Sequence, residues 1–319
     1  MKQPSLDASG FEKYRKKTRK EQFLDEMNKI VPWTELCEAI DPYYPNPPGA
    51  GRKPKDLEMM LRIHFLQHWF ELSDPGAEET LYDSRAMRLF VGIDLGNEPV
   101  PDETTICNFR HLMERHNLGD ELFRLVNVYL EENGVKVSRG TIVDATIINA
   151  PSSTKNKDKR RDPDMHQTRK GNQWYFGMKA HIGVDSKTKL IHSVAVTPAN
   201  VHDSQVMEDL LHGNESRVWG DSAYAGQKET LNLHAPQAKD FTQKKGCRHR
   251  QLTDAEQSAN RHKSKIRARV EHVFGVMKRQ FGYAKVRYRG LDKNAHSVFT
   301  KCALVNLVLV KKHLLAICA

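Results

Sequence analysis

One run constrains this chain more than any other: residues 140–148, Gly-Thr-Ile-Val-Asp-Ala-Thr-Ile-Ile, nearly continuous in β-branched and apolar side chains. Such a run reads as a strand buried on both faces, the kind found in the middle of a sheet that helices cover. It also carries Asp144. Taking a carboxylate out of water costs several kcal/mol unless something positive compensates, so an acid in that place calls for a chemical reason.

Around this strand the pattern predicts two more, over 175–184 and 190–197. Asp185 and the four residues after it, Ser-Lys-Thr-Lys, suit a hairpin turn between them. A short strand follows over 217–221. Helices are predicted over 203–211, from 227, over 254–281 and over 294–315. Before residue 134 the pattern is helical. A basic stretch from Tyr14 leads into an apolar stripe of Phe23, Leu24, Met27, Ile30 and Val31, stopped near Pro32, and a Pro- and Gly-rich linker follows over 41–51. Further helices are predicted over 55–70 and 77–91. A third is opened by Asp102 as its cap, with Ile106, Phe109, Leu112 and Met113 at helical spacing. Short helices with short turns suggest a helix-turn-helix-like module, with Thr104, Thr105, Asn108 and Arg110 on the exposed side as a candidate base-reading face. The same pattern suits a plain three-helix bundle. The expected division is a helical domain over 1–133 and an α/β domain over 134–319.

The net charge of +10 is concentrated. Residues 244–289 hold fourteen Lys or Arg against three acids, and residues 155–170 hold seven against three. A charge run is ordinarily a solvated face. Two such runs flanking acidic motifs favour a polyanionic partner, because Lys and Arg neutralise phosphates and release their counterions. No run approaches the roughly 18 apolar residues of a membrane span, and the first twenty residues lack the apolar core of a signal peptide, so a cytoplasmic protein is expected. Five cysteines without CxxC spacing argue against both a disulfide framework and a zinc knuckle.

Asp221 ends the short fourth strand. If that strand neighbours the first, both carboxylates emerge at one edge of the sheet. Magnesium prefers carboxylate oxygen and water, so a site for it needs a third acid. Glu271 is the only acid between Glu256 and Asp292. On one continuous α-helix Ser264, Arg267, Glu271 and Lys278 share a face about 60° wide. Taken alone, Arg267 and Glu271 make an ordinary i,i+4 ion pair contributing a few tenths of a kcal/mol. Asp203 reads as a helix cap, Asp185 as a turn residue and Trp219 as core packing. His181 and His202 read as packing or capping groups, and Lys179 and Tyr224 as candidate DNA contacts.

Asp144 followed by Ala-Thr, Asp221 within Trp-Gly-Asp-Ser-Ala-Tyr, and the set Arg267, Glu271 and Lys278 resemble the three catalytic blocks of DDE transposases of bacterial insertion sequences, most closely the group named after insertion sequence five. Residues 177–185 and 197–203 are similar to that group's intervening strand and helix motifs, and the resemblance spans residues 11–315. It implies an α/β fold: a ribonuclease H-like catalytic domain, a mixed sheet flanked by helices, preceded by an all-α helix-turn-helix-like domain. It implies a DNA transposase that binds terminal inverted repeats and cuts and joins DNA strands, with Asp144, Asp221 and Glu271 as ligands of two Mg2+ ions, for which Mn2+ can substitute. Arg267 and Lys278 then hold phosphates. The implied partners are double-stranded DNA, as transposon ends and target, and a second copy of the chain in the synaptic complex, at the nucleoid. Two features depart from the family pattern. Ser264 stands where a tyrosine usually precedes the arginine, and only 50 residues separate Asp221 from Glu271, too few for a large β-rich insertion, so a hairpin intermediate is not implied. A ribonuclease H-like nuclease or resolvase, and an inactive transposase-derived DNA-binding protein, are the alternatives. Joining of a cut end to new DNA separates the first, and Mg2+-dependent cutting the second.

Overall fold

Side-chain caps cut the N-terminal part of the chain into helices. Thr18, Asp56, Ser73, Ser84 and Asp102 each accept a hydrogen bond from the backbone N–H three residues on, satisfying a donor that the first helical turn leaves unpaired. The helices are α1 (Arg19–Ile30), α2 (Trp33–Ile40), α3 (Leu57–Phe70), α4 (Asp74–Asp83), α5 (Arg85–Val91), α6 (Glu103–Arg115) and α7 (Leu118–Glu132). In this computed structural model residues 16–45, 53–157, 159–247 and 250–318 are described. The start of the expected basic helix at Tyr14 and most of the expected linker therefore lie outside the described residues.

Two expected helices differ. The one over 77–91 is two, because Ser84 takes an extended backbone (φ −99°, ψ 104°) and its hydroxyl caps α5. Pro32 stops α1 but also opens α2, a helix that the pattern did not predict. Helix α3 is buried along most of its length, including His64, Gln67 and His68. Around it Trp33, Phe65, Trp69 and Phe90 pack with ring centroids 5.5–5.9 Å apart, and the Arg62 guanidinium lies over Trp33 at 4.2 Å. On α6, Thr104 and Asn108 are exposed as the spacing predicts, whereas Thr105 is half-buried. Arg110 is not on that face. It is buried, held by Asp74 (Nη2 to Oδ2, 2.8 Å) and Glu114 (Nη1 to Oε1, 2.7 Å), because a guanidinium inside a helical packing needs carboxylates on both sides.

From residue 140 the chain forms a mixed sheet. Its strands are β1 (Gly140–Asn149), β2 (His166–Lys170), β3 (Gln173–Asp185), β4 (Ile191–Pro198), β5 (Arg217–Trp219) and β6 (Lys239–Asp240). β3 pairs antiparallel with β1, β2 and β4; on the other side of β1, β5 runs parallel to it and β6 parallel to β5. Strand β1 is thus central, as its apolar run requires. Asp185 makes the β3–β4 turn, accepting hydrogen bonds from the Lys187 and Thr188 N–H groups at 2.6 and 3.3 Å. The helix expected over 203–211 is instead two short 3-10 turns, Asp203–Val206 and Glu208–Leu210. Val206, Met207 and Leu210 are the buried residues of this segment, and Met207 and Leu210 join Val143, Val218, Tyr224 and Leu231 in one cluster under the sheet.

The helices that follow are α8 (Lys228–His234), α9 (Asp254–Arg267), α10 (Arg269–Gly275) and α11 (Leu291–Ile317). The expected single helix over 254–281 is interrupted at Ala268 and ends in a π-helical turn, Val276–Gln280. Residues beyond that turn dock on β1: Asn149 donates to the Ala284 carbonyl (3.1 Å) and Val286 to the Asn149 carbonyl (2.8 Å). Asn306 of α11 brackets Ile191 of β4, bonding both its N–H (2.9 Å) and its carbonyl (2.7 Å). Two compact units result, Met1–Tyr129 with Leu307–Ala319, and Leu130–Asn306. Lys311 pairs with Glu26 at 2.5 Å within the first.

Candidate functional site

The parallel register of β1 and β5 runs Gly140↔Arg217, Thr141↔Val218 and Ile142↔Trp219. Carried two residues further, it sets Asp144 level with Asp221. Strand alternation turns Asp144 to the face opposite Val143, away from the cluster beneath the sheet. Asp221 leaves the strand and caps a 3-10 turn, Ser222–Tyr224, accepting from the Ala223 N–H at 2.8 Å. Gly220 precedes it because a Cβ there would meet Tyr224 and Val143 at 3.1 Å. Glu271 comes from α10, whose Val270, Val273 and Phe274 are buried while Glu271 projects outward, 60% exposed. All three carboxylates line one cleft of about 810 Å³.

Arg267, the last residue of α9, joins two of them. Its Nε and Nη2 donate to Asp144 Oδ2 at 3.1 and 2.8 Å, and Nη2 also donates to Glu271 Oε1 at 2.9 Å. Asp144 itself is only 6% exposed. Burial raises its carboxyl to about 6, against the pull of Arg267 and with a further push from Asp221. Burial lowers the Arg267 guanidinium, yet Asp144 and Glu271 outweigh that and hold it above its ordinary value. Lys278, inside the π-helical turn, lines the same cleft and donates to the Ile147 carbonyl of β1 at 2.7 Å. Burial, and then the charge of Lys170, lower its ammonium.

Among the described residues no group of three or more His, Cys, Asp or Glu is gathered closely enough to hold a metal ion. The donor set suits a hard dication all the same. Asp144, Asp221 and Glu271 offer carboxylate oxygens, and among the described residues Asp221 Oδ2 and Glu271 Oε2 accept no hydrogen bond.

A family model for the transposase DDE domain matches residues 136–307. The chain belongs to the DDE transposase family. A second transposase-domain model matches residues 12–112. Among solved structures, this transposase is similar to a piggyBac transposase solved as a synaptic complex with hairpin DNA, at 9% identity and a TM-score of 0.44, over 92% of this chain and 73% of that one.

The expected ancillary residues divide. Lys179 lines the cleft, but its Nζ already donates to Asp203 Oδ1 (2.8 Å) and to the Val201 carbonyl (2.7 Å). Asp203 is therefore a cleft residue paired with a lysine rather than a cap; His202 caps that turn, accepting from the Ser204 N–H. Tyr224 is not available to DNA. It is fully buried in the cluster under the sheet, because the turn after Asp221 folds its ring back over Gly220. Trp219 is core as expected, stacked on Phe241 with centroids 5.5 Å apart. His181 is packed within the sheet against Thr197 (2.8 Å). Sequence reasoning missed Arg169 and Lys170, which line the cleft from β2. Their signal was the basic run over 155–170, whose charge was legible and whose place on a strand was not.

Proposed function

We propose that this transposase binds the terminal inverted repeats of an insertion sequence and catalyses Mg2+-dependent DNA strand cleavage and strand transfer, with Asp144, Asp221 and Glu271 as metal ligands. The observation that carries the reading is the convergence of these three acids, from a central strand, the strand beside it and a distant helix, on one cation-rimmed cleft. A ribonuclease H-like fold for the sheet unit is favoured by the strand order, in which an antiparallel β1–β3–β4 meander is extended by parallel β5 and β6 beyond β1.

When bound, a pair of divalent ions activates a water or a DNA 3′-hydroxyl and stabilises charge on the leaving oxygen. The protein's own groups do the rest. Asp144 offers a buried, preoriented carboxylate whose Oδ1 is fixed by the Ala145 N–H at 2.8 Å. Asp221 is fixed by its cap and Glu271 stands at the solvent side. Lys278, anchored on Ile147, and Arg267 bring positive charge to the wall where a phosphodiester lies, holding it for attack. Arg169 and Lys170 extend that wall. Thr104, Thr105 and Asn108 of α6 read the repeat, and two copies of the chain pair the two ends.

The test is an in vitro reaction on duplexes carrying the element's terminal repeats. Asp144→Asn, Asp221→Asn and Glu271→Gln are each expected to lower cleavage by about a hundred- to a thousandfold, the cost of losing one group that stabilises transition-state charge, with repeat binding retained. Cleavage persisting in any variant removes that residue from the site. Cutting without joining to a target points to a nuclease instead.

A further inference from the structure

The two roles just assigned to this cleft compete for one guanidinium. Asp144 and Glu271 are read as metal ligands and Arg267 as a phosphate clamp, yet Arg267 spends Nε and Nη2 on Asp144 and shares Nη2 with Glu271. A guanidinium touching both acids stands where a cation between them would stand. Asp144 is nearly sealed from water and its charge needs a partner at all times. Three further facts make exchange feasible. Arg267 is 26% exposed, so its side chain has a way into the cleft without disturbing the core. It ends α9, next to the interruption at Ala268. Two other cations of the cleft have separate anchors, Lys278 on the Ile147 carbonyl and Lys179 on Asp203.

We propose that Arg267 is an exchangeable counter-ion: it neutralises Asp144 and Glu271 while no divalent ion is bound, is expelled from them when one binds, and is thereby freed for the DNA phosphate. The inference rests on the reading of these acids as metal ligands. It makes Arg267 a positioning residue that couples metal loading to DNA capture, since expulsion by the metal creates the free guanidinium that the phosphate needs. It also makes Arg267 a competitor, because the metal binds only the fraction of molecules whose acids are released.

The experiment uses the full chain without DNA. Arginine side chains are labelled with 15N, and the Arg267 Nε–H signal, identified by its loss in Arg267→Lys, is followed while Mg2+ is added. The expected result is an Nε–H protected from exchange with water in the metal-free protein and exchanging rapidly at saturating Mg2+. In calorimetry, Arg267→Gln is expected to bind Mg2+ at least about threefold more tightly than wild type, because the competing state is gone. An Nε–H that stays protected at Mg2+ saturation, or weaker Mg2+ binding by Arg267→Gln, overturns the exchange and leaves the metal site standing. Wild-type protein that binds no Mg2+, or Asp144→Asn that binds it as well as wild type, overturns the metal site and the exchange with it. The signal in the wild-type protein decides even if Arg267→Gln folds poorly.

Discussion

Tyr224 lies three residues beyond Asp221, and motif position alone makes it look like a group for DNA. Its hydroxyl is instead buried with no hydrogen-bond partner. Burial raises that hydroxyl well above its ordinary pKa, and Asp203, Asp144 and Asp221 push it further in the same direction, so it stays neutral. A buried polar group without a partner costs about 1–3 kcal/mol. Tyr224→Phe removes the oxygen and keeps the ring, and is expected to leave stability to urea unchanged or higher; a loss beyond about 1 kcal/mol would mean the hydroxyl has a partner. Tyr224→Ala is expected to cost about 3–5 kcal/mol through the cavity it leaves. The ring was legible as aromatic beside an acid. Its direction was not, since a three-residue turn decides which way it points.

At the scale of elements, α6 illustrates how a helix face read from periodicity is corrected by its neighbours. Asn108 and Thr104 fall on the open face that spacing predicts, while Arg110, two residues on, turns inward to Asp74 of α4. The two positions should therefore separate cleanly. Arg110→Ala strands two carboxylates in a half-sealed packing and is expected to cost about 3–5 kcal/mol in urea unfolding. Asn108→Ala is expected to change stability by less than about 0.5 kcal/mol and to weaken binding of a terminal-repeat duplex in a gel-shift titration. Equal stability losses would put both side chains on the same face. The segment over 254–281 makes a similar point. Its charge pattern predicted one straight face, and the turn at Ala268 and the π-helical turn break that face, yet Arg267, Glu271 and Lys278 still reach one cleft. Beyond them, residues 284–286 are tied to β1 at Asn149 by two backbone hydrogen bonds.

For the whole molecule, part of the pH dependence comes from two buried histidines of the sheet, His181 and His192. Burial lowers His192 to about 3, with His212 adding to the fall, and burial lowers His181 to about 4. Both folded values lie below the unfolded one of about 6.5. Above that value neither state is protonated; as pH falls below it, the unfolded chain takes up protons that the folded chain refuses. Stability is thus fully present above pH 6.5 and is lost toward acid, by roughly 3 kcal/mol per histidine at pH 4. Asp144, raised to about 6, works against this loss, because the folded protein takes up its proton before the unfolded chain does. His192→Asn should therefore show a smaller fall in the urea midpoint between pH 7 and 5 than wild type, and an equal fall would place its titration elsewhere. By itself the sequence determined the strongly patterned elements: the buried strand around Asp144, the hairpin turned by Asp185, the cap at Asp102, and where positive charge accumulates, while α2, α7, β2 and β6 carried no pattern that announced them. Periodicity, capping and turn chemistry act over a few residues and need no knowledge of the rest. Only the tertiary structure decided which charges meet, so that Arg267 lies between Asp144 and Glu271, Lys179 is tied to Asp203 and Arg110 is sealed inside, because those pairings depend on sheet register and helix docking, which no local pattern contains.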